Sequence, residues 1–210
     1  MNIHTIFLRC KHLFRVICIS FKIRRKGSVS LLWALRHLHL YSEDFRIDIR
    51  TKKLGDVHIY MYGNGHELII EDDVKIKKGT IWFENNNCRI SIGKKTTIEG
   101  AHLAAAEDNM VLTIDDDCML SQGIYIATTD SHSIISLDSK KRLNKAANVF
   151  IGKHVWIGRN VTINKGVFVG DNSVIAGGSI VTKEVPQNVV VAGVPAKVVK
   201  TEITWERKRL

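Results

Sequence analysis

The stretch from Ile151 to Val181, IGKHVW IGRNVT INKGVF VGDNSV IAGGSI V, decides the fold. A branched apolar residue returns at every sixth position, as Ile151, Ile157, Ile163, Val169, Ile175 and Val181. A small residue follows several of them, as Gly152, Gly158, Gly170 and Ala176, and three positions further on stand Val161, Val167, Ser173 and Ser179. An amphipathic helix places apolar residues three and four apart, and a half-buried strand places them two apart. A period of six fits neither. It fits a short strand, a turn and another short strand, with one side chain per repeat pointing into a narrow core, which is the pattern of a parallel β-helix.

Working back toward the N-terminus, the rhythm becomes legible at Ile70. Ile70, Ile76 and Trp82 are expected to make one coil of three faces, Ile92, Ile98 and Ala104 the next, and Ile114, Leu120 and Ile126 a third. Coil starts at Ile70, Ile92 and Ile114 lie 22 residues apart, so each coil carries extra residues. Turn formers at Asn85–Asn87 and Glu107–Asn109 put these at one corner. Residues 45–69 read as a first, imperfect coil. Between Ile126 and Ile151 the rhythm breaks, and the excursion at Ser131 to Asn148 reads as a loop bearing binding groups, since solenoids keep repeats for stability and project function on loops. It carries Asp138, Lys140, Lys141, Arg142 and Lys145. Pro186 and the Gly193–Val194–Pro195 turn are expected to end the stack.

The organisation predicted is therefore a basic, helical segment over 1–45, the β-helix over 46–200 with its loop at 131–148, and a short helix over 201–210. Within the first segment, Ile3, Phe7, Cys10 and Phe14 fall at helical steps. A second stretch holds Leu31, Leu32, Leu35 and Leu38, with Gly27 and Ser28 between them.

The chain has 210 residues and a formal net charge of +10. Residues 1–50 hold ten Lys/Arg against three Asp/Glu, so most of the surplus lies at one end. A basic end suits an anionic membrane surface or a polyanionic glycan; with no zinc-finger or RNA-binding motif, nucleic acid is not expected. The helical reading of that end is packing against the solenoid, with peripheral contact to lipid or acidic glycan as the alternative. Cys10, Cys18, Cys88 and Cys118 show no C-x-x-C spacing and read as reduced thiols of a cytoplasmic protein. Arg9, Lys11, His12 and Arg15 interrupt the apolar N-terminus, so neither a spanning helix nor a secretory signal is expected.

The runs Thr129-Asp130-Ser131-His132-Ser133, Ile151-Gly-Lys-His-Val-Trp156-Ile-Gly158 and Ala192-Gly-Val-Pro195-Ala-Lys197 closely resemble the left-handed β-helix hexapeptide acetyltransferases. Within them the chain looks most like bacterial O-acetyltransferases of sialic-acid capsules and related surface polysaccharides. The resemblance covers about residues 45–200 and is strongest over 126–200. It implies an all-β, left-handed parallel β-helix, acetyl-coenzyme A as acetyl donor, a carbohydrate acceptor, and a homotrimer whose sites are shared between neighbours. By position it implies His132 as catalytic histidine and Trp156 as an active-site wall. The coenzyme groove would be lined by Arg159, Gly177, Thr182 and Lys183, with Lys197 and Lys200 reaching the nucleotide phosphates. The first fifty residues match no element of the family.

Acetyl transfer to an alcohol needs its proton removed as the oxygen attacks the thioester, and a neutral imidazole does this near neutral pH. Asp130, two residues before His132, is a candidate orienter of that ring. The oxyanion needs a donor, either a backbone N–H near Trp156 or an ordered water. His102 and His154 read as exposed turn residues. The spacing of His102, His132 and His154 lacks the close pair of a metal site, so no metal is expected there. Two other readings share the fold: N-acetyl transfer to an amino sugar, or transfer to a small-molecule acceptor. A third is a non-catalytic scaffold.

Overall fold

The computed structural model describes residues 30–42 and 44–210; the first expected helical stretch, Cys10 and Cys18 fall outside them. The described chain winds as a parallel β-solenoid whose coils stack on three faces. Face 1 is a six-stranded sheet: β2 (Phe45–Ile49), β4 (His66–Ile70), β6 (Arg89–Ile92), β9 (Val111–Ile114), β12 (Val149–Ile151) and β15 (Phe168–Val169). Face 2 holds β7 (Thr97–Ile98), β10 (Met119–Leu120), β13 (Trp156–Ile157), β16 (Val174–Ile175) and β18 (Val190–Gly193). Face 3 holds β1 (Leu38–Leu40), β8 (Ala101–Ala105), β11 (Ile124–Ala127), β14 (Thr162–Ile163) and β17 (Ile180–Val181). Two long strands, β3 (Lys53–Met61) and β5 (Lys75–Phe83), run through the corner between faces 2 and 3.

Three columns of branched side chains fill the core. On face 1, Ile49, Ile70, Ile92, Ile114, Ile151 and Val169 are paired in register. On face 2, Ile76, Ile98, Leu120, Ile157, Ile175 and Val191 follow one another. On face 3 the column is Ile59, Ile81, Leu103, Ile126, Ile163 and Val181. All are buried, and each contributes about 1.5–3 kcal/mol by leaving water.

The third column corrects the expectation for Trp82 and Ala104. In the early coils the corner from face 2 to face 3 is one residue shorter, with Ile76 followed by Ile81 and Ile98 by Leu103. In the later coils Leu120 leads to Ile126 and Ile157 to Ile163. A one-residue slip sends a strand residue to the opposite face, so Trp82 lies on the outer surface, between Tyr60 and Ala104 on neighbouring coils.

Corners stack as strictly as strands. Between faces 1 and 2, Asp73, Lys95, Asp117, His154, Asn172 and Asn188 all take left-handed φ of 52–61°, a region in which a β-branched residue is strained. The corner between faces 3 and 1 holds the extra residues at Asn85–Asn87 and Glu107–Asn109, again with positive φ. Side-chain amides and carboxylates link its coils, as where the Asn64 N–H donates to Asn86 Oδ1 and the Asn86 N–H to Asp108 Oδ1.

Both ends depart from the expected boundaries. The helix α1 spans only Leu31–His37, capped by Ser30, whose hydroxyl accepts from the Trp33 N–H. The solenoid has already begun at Leu38–Leu40, paired with Ile59–Met61, and β2 pairs with β4 over its whole length. After the cap hairpin of β18 and β19 (Ala196–Lys200), Thr201–Leu210 forms no helix. It climbs the corner between faces 1 and 2. The Ile203 N–H donates to Asn188 O, the Thr204 hydroxyl to Asn172 Oδ1, Trp205 Nε1 to His154 O, and Arg207 to Asp117 Oδ1 and Cys118 O. The backbone groups it meets are corner carbonyls, so the tail is fixed to the coils rather than to itself. Among the described residues no helix is long and apolar enough to cross a membrane.

Candidate active site

The excursion leaves the solenoid at the end of β11, on the corner between faces 3 and 1, and His132 stands at its root. The His132 N–H donates to Asp130 O, and its carbonyl accepts from Asn144 Nδ2 at 2.8 Å. The ring is exposed and has no hydrogen-bond partner among the described residues. Asp130 does not orient it: the Asp130 carboxylate is taken by Lys165 Nζ and, at 2.8 Å, by Asn144 Nδ2. The ammonium of Lys165, with Asn144 beside it, holds the Asp130 carboxyl below the usual carboxylate range.

The loop is folded back on itself. Leu143 N–H donates to Ile134 O, and Ile135 and Arg142 form an antiparallel bridge. Arg142 clasps Glu107 on the preceding coil with bonds of 2.7 and 2.6 Å, and the Thr129 hydroxyl donates to the same carboxylate. Hydrogen bonds from the Arg142 guanidinium hold the Glu107 carboxyl below the usual carboxylate range. These two ion pairs, one on each side of the loop root, fix where His132 leaves the coil. Beyond them the loop presents apolar side chains to solvent: Ile134, Ile135, Leu137 and Leu143 are 48–88% exposed.

Trp156 is elsewhere. It opens β13 on face 2, between Met119 and Val174, and is 40% exposed. A corner between faces 3 and 1 lies opposite face 2 on a three-sided prism. One chain therefore does not bring His132 and Trp156 together.

The residues expected along the coenzyme groove fall on three places. Arg159 and Gly177 stack at the corner between faces 2 and 3, where the Gly178 N–H donates to Arg159 O at 2.8 Å. A Cβ on Gly158 would sit 2.6 Å from Gly177 N, so at that position the coil backbones come too close for a side chain. Thr182 and Lys183 follow β17 on the corner that carries His132, two coils further along the stack. Lys197 and Lys200 lie exposed on β19, opposite Ala192 and Val190.

The readings of His154 and His102 change. Both ring nitrogens of His154 face oxygens, Asp117 Oδ2 at 2.7 Å and Trp205 O at 3.0 Å, and Trp205 stacks on the ring at 4.1 Å. Trp205 lies in turn 6.1 Å from Trp156 between centroids. His154 thus links the tail to the wall that bears Trp156. His102 lies in strand β8, stacked on Tyr125 at 5.2 Å, and burial lowers its pKa. Cys88 and Cys118 are buried free thiols, pushed up by burial to about 11 and about 12.

Residues 148–183 match the hexapeptide repeat of succinyl-transferase. A polysialic acid O-acetyltransferase of Escherichia coli O1:K1 / APEC is 41% identical over 138 residues, which is 66% of this chain but 42% of the relative. The chain thus spans less than half the length of that protein. A galactoside O-acetyltransferase of Escherichia coli K12 is 30% identical over 193 residues, 92% of this chain and 86% of the relative. The crystal structure of the polySia-specific acetyltransferase NeuO superposes with a TM-score of 0.69 at 33% identity, covering 86% of this chain and 83% of that one. With the repeat, the stacked coils and nearly full-length likeness in both sequence and structure, the chain belongs to the hexapeptide-repeat acetyltransferases.

Proposed function

We propose that the protein is an acetyl-coenzyme A-dependent O-acetyltransferase acting on a sugar hydroxyl of a bacterial surface polysaccharide, with sialic acid of a capsule as the acceptor. The coil is read as left-handed, as the family resemblance implies. The observation that carries the reading is the position of His132: an unpartnered, exposed imidazole at the root of a loop that two ion pairs hold in place. The names of two relatives, polysialic acid and galactoside O-acetyltransferase, favour a hydroxyl over an amine.

In this mechanism a His132 ring nitrogen takes the hydroxyl proton as the sugar oxygen attacks the thioester carbonyl. The tetrahedral intermediate collapses, the C–S bond breaks, and the imidazolium returns its proton to the departing thiolate. General-base help of this kind is worth about 10² to 10⁴ in rate.

His132 and Trp156 face opposite sides of one prism, so the site is completed by a second copy. In a cyclic trimer each His132 corner would meet the neighbour's face 2. The exposed Ile134, Ile135, Leu137 and Leu143 suit this role, because apolar loop tips gain by burial against a neighbouring chain. Arg159, Gly177, Thr182 and Lys183 would line the groove on either side, and Lys197 and Lys200 would face the nucleotide phosphates. The chain is assigned to the cytoplasm, where acetyl-coenzyme A is made, with the basic segment before Leu31 drawing in polyanionic glycan.

The test is thiol release from acetyl-coenzyme A in the presence of oligosialic acid, with the product then treated with mild alkali. An alkali-labile ester that forms only with the sugar present supports the reading. An alkali-stable amide product would transfer it to amino sugars, and an absence of coenzyme A binding by calorimetry would leave only a scaffold.

A further inference from the structure

At the start of the solenoid lies a cluster that acetyl transfer does not use. His37 is the last residue of α1, and Asp56 and His58 lie two apart on β3, so their side chains share a face. His37 Nδ1 stands 3.9 Å from Asp56 Oδ1, and His58 Nε2 stands 3.2 Å from the same oxygen. The three donor atoms all lie within 4.8 Å of one another.

The second observation concerns His37 itself. The residue is 6% exposed, and among the described residues its Nδ1 is the buried side-chain polar atom with no hydrogen-bond partner. Buried polar atoms are nearly always satisfied, by protein, water or ion. The ring is held in place: Trp33 stacks on it at 4.9 Å, and Trp33 Nε1 donates to Gly55 O at 3.0 Å, next to Asp56. On the other side, His58 Nδ1 lies 3.1 Å from His39 Nε2, and His39 stacks on Tyr60 at 4.3 Å. In the tautomer in which His58 Nδ1 holds the proton and donates it to His39 Nε2, the His58 Nε2 lone pair is directed at the gap, with the other ring nitrogen hydrogen-bonded behind it as metal-bound imidazoles require.

We propose that His37, Asp56 and His58 bind a divalent first-row transition-metal ion, zinc fitting best, which ties α1 to the first coils. Two imidazoles and a carboxylate are borderline donors suited to zinc, whereas magnesium and calcium demand oxygen. Bonds of about 2.0–2.2 Å in a tetrahedron put ligand atoms roughly 3.4 Å apart. The distances of 3.2 and 3.9 Å lie on either side of that. Asp56 is exposed and His58 partly so, which leaves an entry path and a fourth position for water. His102, His132 and His154, the histidines the sequence brought to notice, take no part.

The experiment uses the full chain without a polyhistidine tag, stripped with chelator, then titrated with cobalt(II) as a spectroscopic probe and with zinc by calorimetry. One site per chain is expected, with visible d–d absorption from cobalt that zinc displaces, and a Tm that rises with zinc. His58→Ala and Asp56→Asn, both at accessible positions, should each lose the cobalt band, weaken zinc at least tenfold and abolish the Tm rise, with circular dichroism unchanged. His132→Ala should alter none of these. The absence of a cobalt band in the parent chain, or bands of equal strength in the His58 and Asp56 variants, would overturn the proposal.

Discussion

His132 has a free ring at the root of a loop that two clasps hold in place, and the proposed function makes it the base. Substituting His132→Ala should lower the rate of thiol release by about 10² to 10⁴ while leaving Tm unchanged, since an exposed ring contributes little to stability. The Glu107–Arg142 clasp gives a separate, acid-sensitive readout. Its folded carboxyl sits below the ordinary value, chiefly through the Arg142 hydrogen bonds. The stabilisation is then full above the unfolded value of about 4.3 and is lost as pH falls through the depressed folded value. Thermal unfolding of parent and Glu107→Gln should therefore show a Tm gap that is constant from neutral pH down to about 5 and closes in stronger acid. A gap that widens on acidification would show that the carboxylate is not stabilised by its cation. Neither clasp was legible in the chain: Glu107 and Arg142 are 35 residues apart, and Asp130, which adjacency suggested for His132, is drawn away by Lys165 from the next coil.

At the scale of elements, the coils separate into what periodicity reveals and what it hides. The six-residue series named every core residue of faces 1 to 3 from Ile151 to Val181, because one inward side chain per strand leaves a local signature. It misplaced Trp82 because a corner shortened by one residue preserves the coil length of 22 while reversing the outward and inward positions. The tail left no signature. Its partners are reached across 51 residues at His154 and 90 at Asp117, and no local pattern encodes such pairing. The tail is nonetheless a stabilising element: Trp205 is 6% exposed, and Trp205→Ala should cost about 3 kcal/mol, read by chemical denaturation. Asp117 is buried enough to raise its carboxyl, yet His154 and Arg207 together bring it below the usual range. The Gly158 corner is equally strict. Gly158→Ala should destabilise by about 1–3 kcal/mol, because the new methyl meets the backbone of Gly177 and Ile175, which no rotamer change can relieve.

For the whole molecule, a prism carries His132 on one edge and Trp156 on the opposite face, so the proposed function, if both residues serve one site, calls for a working unit of more than one chain. The sequence pointed to both residues through a family resemblance, but it gave no sign that they sit apart, since distance around a coil depends on which face each strand occupies. The claim on which the account rests is that His132 of one copy acts with Trp156 of the next. The most direct measurement mixes two impaired variants, His132→Ala and Trp156→Ala, by unfolding and refolding them together at equal concentration, and follows thiol release with oligosialic acid. Random trimers in which each site draws one residue from each of two neighbours regain about a quarter of the parent activity. A mixture no more active than the average of the two variants refolded separately would contradict the shared site.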